Sequence, residues 1–435
     1  LSGVIPTCQA SSTFAAALPD RQVGDYLRGF GGAAAGQARS AQSPQEIGSM
    51  IALARLAFAG VAFSLASGPG HGGAGSAPRP RTRTYYVAAD TVVWDFAPGP
   101  EVNLITGQPY DSVARFVVGN DSVNIGHRYL KAIYREYTDS TFTALKPREA
   151  AWEHLGILGP LLRAVVGDTI RVVFRNNTPH AASMHPHGVF YTKSSEGAPY
   201  ADSTDGADKA DDAVPPGGSH VYVWPVPARA GPGPDEGSSV MWMYHSHTND
   251  QRDVDAGLVG PIIVTARGRA RADGTPKDVD REFVVAFAEF DESQSWYLAD
   301  NIARYAPKER IVKDPFGQDA GIPHAEGNFK ESMNGLLYGH LPGLTMQLGQ
   351  RVRWYLMATT GFEFHAPHWH GNTVLINRMR TDVAGLLPMG MVTADMVPDN
   401  PGIWLFHCHV GPHLLMGMQS LYRVLPRQQQ RQRQR

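Results

Sequence analysis

The chain has 435 residues, 43% hydrophobic and 18% charged, a globular balance long enough for two or three domains. A formal net charge of -2 removes the electrostatic reason to expect nucleic acid as a partner. Two cysteines, Cys8 and Cys408, exclude a disulfide framework, whereas 17 histidines, gathered in clusters, call for a chemical explanation.

Taken in order, residues 1–49 are rich in Ala, Gly, Ser and Gln and read as upstream or disordered sequence. The first methionine, Met50, opens a segment with one basic residue, Arg55, an apolar run from Leu56 to Ala66, and small residues at Ser64 and Ala66. That is the pattern of a secretory signal peptide over 50–66, too short to span a bilayer. The expectation is export to a periplasmic or extracellular location, with no transmembrane span and Cys408 as the only thiol. Residues 67–83, with five glycines followed by Pro78 and Pro80, read as a linker.

From Thr84 the text changes. Tyr85–Trp94, Asp168–Phe174, Val221–Pro227 and Leu258–Val264 are β-branched and aromatic runs set off by turn residues. No long helical period competes, so the fold class expected is all-β sandwich. The Asp/Gly-rich stretch Ala198–Ser219 reads as a surface loop. A charged linker, Ala266 to Arg281, separates a first block, 84–265, from a second, 282–426. The remainder, 427–435, is only Arg and Gln and reads as a solvated tail.

The two blocks repeat each other. Met184-His185-Pro186-His187-Gly188 matches Pro367-His368-Trp369-His370-Gly371, and Tyr244-His245-Ser246-His247 matches Phe406-His407-Cys408-His409. Side chains alternate along a strand, so each His-X-His pair presents two imidazoles on one face. Four such pairs in a two-by-two repeat point to a multinuclear metal cluster of eight imidazoles. On the last strand Cys408 takes the face opposite His407 and His409. With His413 a loop away and Met418 just beyond, it supplies the soft thiolate, imidazole and weak thioether of a blue-copper site.

The differences between the blocks are equally informative. His365, three residues before His368, tends towards the face of Cys408. In the first block Ala182 stands for His365, Ser246 for Cys408, Gln251 for His413 and Ala256 for Met418. The mononuclear ligands are missing together while the cluster histidines stay.

At these residues the chain resembles the multicopper oxidases, in particular the two-domain bacterial laccase-like group. Gly257-Leu258-Val259-Gly260-Pro261 and Ser295-Trp296-Tyr297-Leu298 look like ceruloplasmin-type domains. The resemblance implies two tandem cupredoxin-like Greek-key β-sandwich domains and four coppers per functional site. His365, Cys408 and His413 would bind the type 1 copper, with Met418 axial and Met416 as its rival. His185 and His368 would bind type 2 copper. His187, His245, His247, His370, His407 and His409 would bind the type 3 pair. The expected activity couples one-electron oxidation of phenols or aromatic amines, the small reducing substrates, to reduction of O2 to water.

By the same resemblance Tyr191 is expected as a redox-active neighbour of the cluster and Glu196 as a proton donor, with Asp250, Asp253 and Asp255 as further candidates. The eight histidines divide equally between two blocks, so the site must lie where a first and a second block meet; the resemblance implies that this contact forms between the subunits of a homotrimer, and sequence alone does not separate this from closure within one chain. A metallo-oxidase acting on Fe(II) or Cu(I) is the alternative reading, with Glu363, Asp382, Asp395 and Asp399 as candidate acids. A copper-binding electron carrier is the non-enzymatic alternative, and it leaves the four His-X-His pairs unexplained.

Overall fold

The computed structural model describes residues 79–427, apart from 121–123, 307–311, 314–318, 321–325, 360 and 362. The expected leader, most of the first linker, and the tail beyond Arg427 lie outside the described residues. In the first half the strands are β1 (Thr82–Asp95), β2 (Arg128–Tyr137), β3 (Leu162–Val165), β4 (Thr169–Asn176), β5 (His185–Pro186), β6 (Ser219–Pro225), β7 (Ser239–His245) and β8 (Val259–Thr265). They form two sheets, in the orders β2-β1-β4-β6 and β3-β8-β7-β5. On β4, Ile170, Val172 and Phe174 turn inward while the residues between them are half-buried, the period-two pattern of a strand with one face on a core.

The second half repeats the connectivity with β9 (Arg281–Asp291), β10 (Phe329–Met333), β11 (Thr345–Gln347), β12 (Val352–Ala358), β13 (Pro367–Trp369), β14 (Val374–Ile376), β15 (Met379–Thr381), β16 (Met391–Met396), β17 (Gly402–Cys408) and β18 (Gln419–Leu425). Its sheets run β10-β9-β12-β16-β14-β15 and β11-β18-β17-β13. As β1 runs parallel to β4, so β9 runs parallel to β12. As β5 pairs with β7, so β13 pairs with β17. The architecture is all-β, each half a Greek-key sandwich, and the first strand opens at Thr82, just ahead of the change in composition.

The core has three apolar layers, and the middle one joins the halves. Strand β9 shows why its run is buried on both faces: Phe283, Val285 and Phe287 face the second half's own core, while Val284, Ala286 and Ala288 face a layer shared with Met241, Val259 and Ile263 of the first half. A polar seam crosses the same boundary. Arg163 on β3 makes a two-pronged pair with Glu282 on β9, at 3.2 and 3.0 Å, and Tyr355 donates to Glu282 at 2.8 Å. Among the described residues no helix is long and apolar enough to cross a membrane.

Candidate metal centres

Strand β17 delivers Cys408 to the interior. Its thiol is fully buried, and its sulfur accepts a hydrogen bond from the Ala366 N–H at 3.3 Å. His365 enters from the loop before β13, held by main-chain bonds to Leu386, and His413 comes from a short helix, α1 (Gly411–Leu415). The Sγ of Cys408 lies 3.9 Å from His365 Nδ1 and 3.5 Å from His413 Nδ1, and the two nitrogens are 3.1 Å apart. Donors about 2 Å from one ion stand roughly 3–4 Å from each other, so this set fits a trigonal metal site. Met418 packs in the same core as Cys408, whereas Met416 packs against the layer between the halves. Burial pushes the Cys408 thiol up and brings His365 down to about 3, so the imidazole is neutral and the thiol needs a metal ion to displace its proton.

Each half also gathers four imidazoles. In the first half His185 Cα pairs with His245 across β5 and β7, and His187 Nε2 stands 3.1 Å from His245 Nε2. His247 closes the group, its ring 5.2 Å from that of His185. In the second half His370 Nε2 is 3.1 Å and His368 Nδ1 3.3 Å from His407 Nε2, with the His409 ring 5.1 Å from that of His368. Burial and neighbouring imidazoles hold His185 near about 4 and His187 near about 3, which keeps them in the neutral, metal-binding form. The glycine after each pair is structural: Gly188 and Gly371 have φ of +74° and +71°, and a Cβ there would fall 2.1 Å from Trp242 and 2.5 Å from Trp404. His185 with His187, and His368 with His370, line separate concavities of about 400 Å3 each, and among the described residues no ring contact joins one set to the other.

The place of the mononuclear site is traceable in the first half. Ala182 bridges to Val214 as His365 bridges to Leu386. Ser246 Oγ accepts from the Ser183 N–H at 3.0 Å, the role the Cys408 sulfur plays with Ala366. Ser246 then donates to Asp253 at 2.7 Å, and Asp253 also takes the Trp296 indole N–H. A hydrogen-bonded group stands here in the place that His365, Cys408 and His413 hold in the second half.

Around the clusters the acids divide. Tyr191 lies edge-on to His185 with ring centroids 5.7 Å apart. Glu196 reaches His185 through its main-chain carbonyl, which accepts from Nδ1 at 2.6 Å and leaves Nε2 for a metal. Its carboxylate is taken by Lys193 at 2.7 Å and Tyr200 at 2.9 Å. Burial pushes that carboxyl up, but these two hydrogen bonds outweigh it and hold it below its usual range. The arrangement favours an ionised group and does not support the proton-donor role expected of it. Asp250 lies 2.9 Å from His245 Nδ1, while Asp253 and Asp255 are turned into the core. Asp382 approaches His368 Nε2 at 3.7 Å, Asp399 lines the same concavity, and Asp395 is spent on Arg353.

Beside the mononuclear set stands an acidic group only partly foreseen. Glu363 accepts from His413 Nε2 at 2.9 Å. Glu289 and Glu331, which sequence reasoning missed, are cross-strand partners on β9 and β10. Both are buried, one oxygen of each has no hydrogen-bond partner, and Glu331 lies 3.9 Å from His413 Nδ1. Burial, with Glu363 and Asp291 nearby, pushes Glu289 up to about 7. The available signal was a charge placed on the core face of an otherwise apolar strand, since Glu289 continues the face of Phe287.

Two family models, each described as multicopper oxidase, match residues 136–269 and 318–428, together more than half of the chain. "Ferroxidase HEPHL1" of Homo sapiens is 40% identical over 348 residues, 79% of this chain and 29% of that protein. "Hephaestin" of Rattus norvegicus is 41% identical over 349 residues, 79% of this chain and 29% of its own length. "Ceruloplasmin" of Homo sapiens is 37% identical over 349 residues, 79% and 31%. The chain spans less than a third of the length of these relatives. A solved structure titled "Multicopper Oxidase mgLAC" superposes with a TM-score of 0.51 at 19% identity, covering 79% of this chain and 86% of that one, a likeness of fold alone.

Proposed function

The chain belongs to the multicopper oxidase family, and from that premise we propose that it is a metallo-oxidase, coupling oxidation of Fe(II) or a like reducing ion to reduction of O2. Four Fe(II) give one electron each; one O2 and four protons become two waters. The thiolate set would hold a copper that supplies a one-electron acceptor, and the histidine cluster would hold coppers that supply the site of dioxygen reduction. The assignment of His365, Cys408, His413 and Met418 to type 1, His185 and His368 to type 2, and the other six histidines to type 3 copper is part of the proposal.

The observation that carries this reading is the group Glu289, Glu331 and Glu363 beside His413. Hard oxygen donors with unsatisfied lone pairs suit a substrate cation, and Glu363 would hold it one hydrogen bond from a mononuclear ligand. Cys408 then links that set to the cluster through one strand, and His407 Nδ1 donates to the Cys408 carbonyl at 2.7 Å. Relatives named ferroxidase support the choice. In Glu331→Gln the KM for Fe(II) should rise about tenfold with phenol turnover kept. Equal loss on both substrates would remove the cation site.

A second reading, laccase-like oxidation of phenols or aromatic amines, is favoured by the exposed Phe364, Leu387 and Leu415, which neighbour His365, its bridge partner Leu386 and His413 along the chain. Assembly and location complete the proposal. Two histidines of each set, His185 with His187 and His368 with His370, line a concavity of their own half, and on this reading the cluster is completed between copies, as a homotrimer. Export is carried by the 50–66 segment.

A further inference from the structure

We infer that Arg229 and Asp399 form a charge code by which the first half of one copy selects the second half of another. This rests on the cluster being shared between copies. The code is visible because the two halves are repeats. In the first, Trp242 packs under Gly188 and donates its indole N–H to the Ala230 carbonyl at 2.7 Å. In the second, Trp404 packs under Gly371 and donates to the Asn400 carbonyl at 3.0 Å. The residue just before that carbonyl is therefore the same position of the repeat in both halves. It is Arg229 in one and Asp399 in the other, and each lines the concavity of its own four-histidine set.

Among the described residues neither has an ion-pair partner within the chain. Arg229 lies over the ring of Phe190, 5.9 Å from its centroid, and Phe190 is itself 52% exposed. Asp399 is exposed between Val397 and Ile403, which are 62% and 59% exposed. Asp382, 58% exposed, adds a second negative charge to that rim. Each concavity thus carries an unspent charge, and the signs are opposite.

Two repeats with the same fold and the same histidine pattern can meet in three ways. First half on first half would gather two Arg229 side chains at one closing rim. Second on second would gather Asp399 and Asp382 with their own copies. Only the unlike pairing puts Arg229 and Asp399 on the same rim. Juxtaposed like charges at a closing rim reject the wrong pairing more than the right pair adds affinity. Unlike pairing is also head-to-tail, the kind of contact that closes into a ring. The partner is a second copy of this chain.

Sedimentation velocity of the copper-loaded chain tests this, with Arg229→Glu, Asp399→Arg and the double variant. Each single change should weaken association about tenfold or more, and the double change should restore it to within about threefold. The absorption of the type 1 site, whose set His365, Cys408 and His413 includes neither residue, reports that each variant is folded. A wild-type assembly that Arg229→Glu leaves intact, or a double variant no better than the singles, overturns the code and leaves the shared cluster standing. A wild-type chain that stays monomeric with its copper overturns the shared cluster and the code together.

Discussion

Glu289 and Glu331 face each other across two antiparallel strands, where like charges oppose folding. Such a pair is costly, and a bound cation would relieve it. With Glu289 pushed up to about 7, the folded chain holds a proton there that the unfolded chain has released above about 4.5. Native protein then binds more protons than unfolded, so stability should fall as pH rises from about 4.5 towards 7. Thermal melting of metal-free protein should show that fall, and Glu289→Gln should lessen it; identical slopes would contradict the buried, neutral acid. Gly188→Ala should cost about 1–3 kcal/mol, because its Cβ meets the Trp242 ring, and should lower copper retention in the cluster. At this scale the gathering of side chains was legible, since spacing and strand parity set His407 and His409 on one face and Cys408 on the other. Glu331 was not, because its partner depends on register between β9 and β10. Nor was the role of the Glu196 carbonyl, because a main-chain atom leaves no mark in sequence.

Strand β9 ties the mononuclear site to the fold. Phe287 touches His365 at 6.0 Å and Phe406 at 5.6 Å between ring centroids, so one side chain braces both a ligand and the strand that carries Cys408. Phe287→Ala should destabilise the chain by about 3–5 kcal/mol and broaden the type 1 absorption, as melting and visible spectra would show. A stable variant with an unchanged spectrum would deny that bracing. The strands themselves could be read from β-branched runs. What covers the second face of β9 and β12 could not, since a run apolar on both faces does not say what lies on each. The answer is the other half of the chain.

The boundary between halves fixes how the two histidine sets are presented to other copies. Arg163 and Glu282 are buried there as a pair, so Arg163→Met alone leaves an uncompensated carboxylate and should cost about 3–5 kcal/mol. Replacing both by apolar residues should recover most of that loss in a denaturant titration; no recovery would show that the seam depends on charge itself. The proposed sharing of the cluster makes the proposed oxidase chemistry depend on a neighbour. Copper content, measured separately on the monomeric and assembled fractions of the purified chain, tests this most directly. Four coppers per chain in the assembly, with the monomer keeping the blue site and losing the cluster, is the predicted result. A monodisperse monomer carrying all four would contradict it.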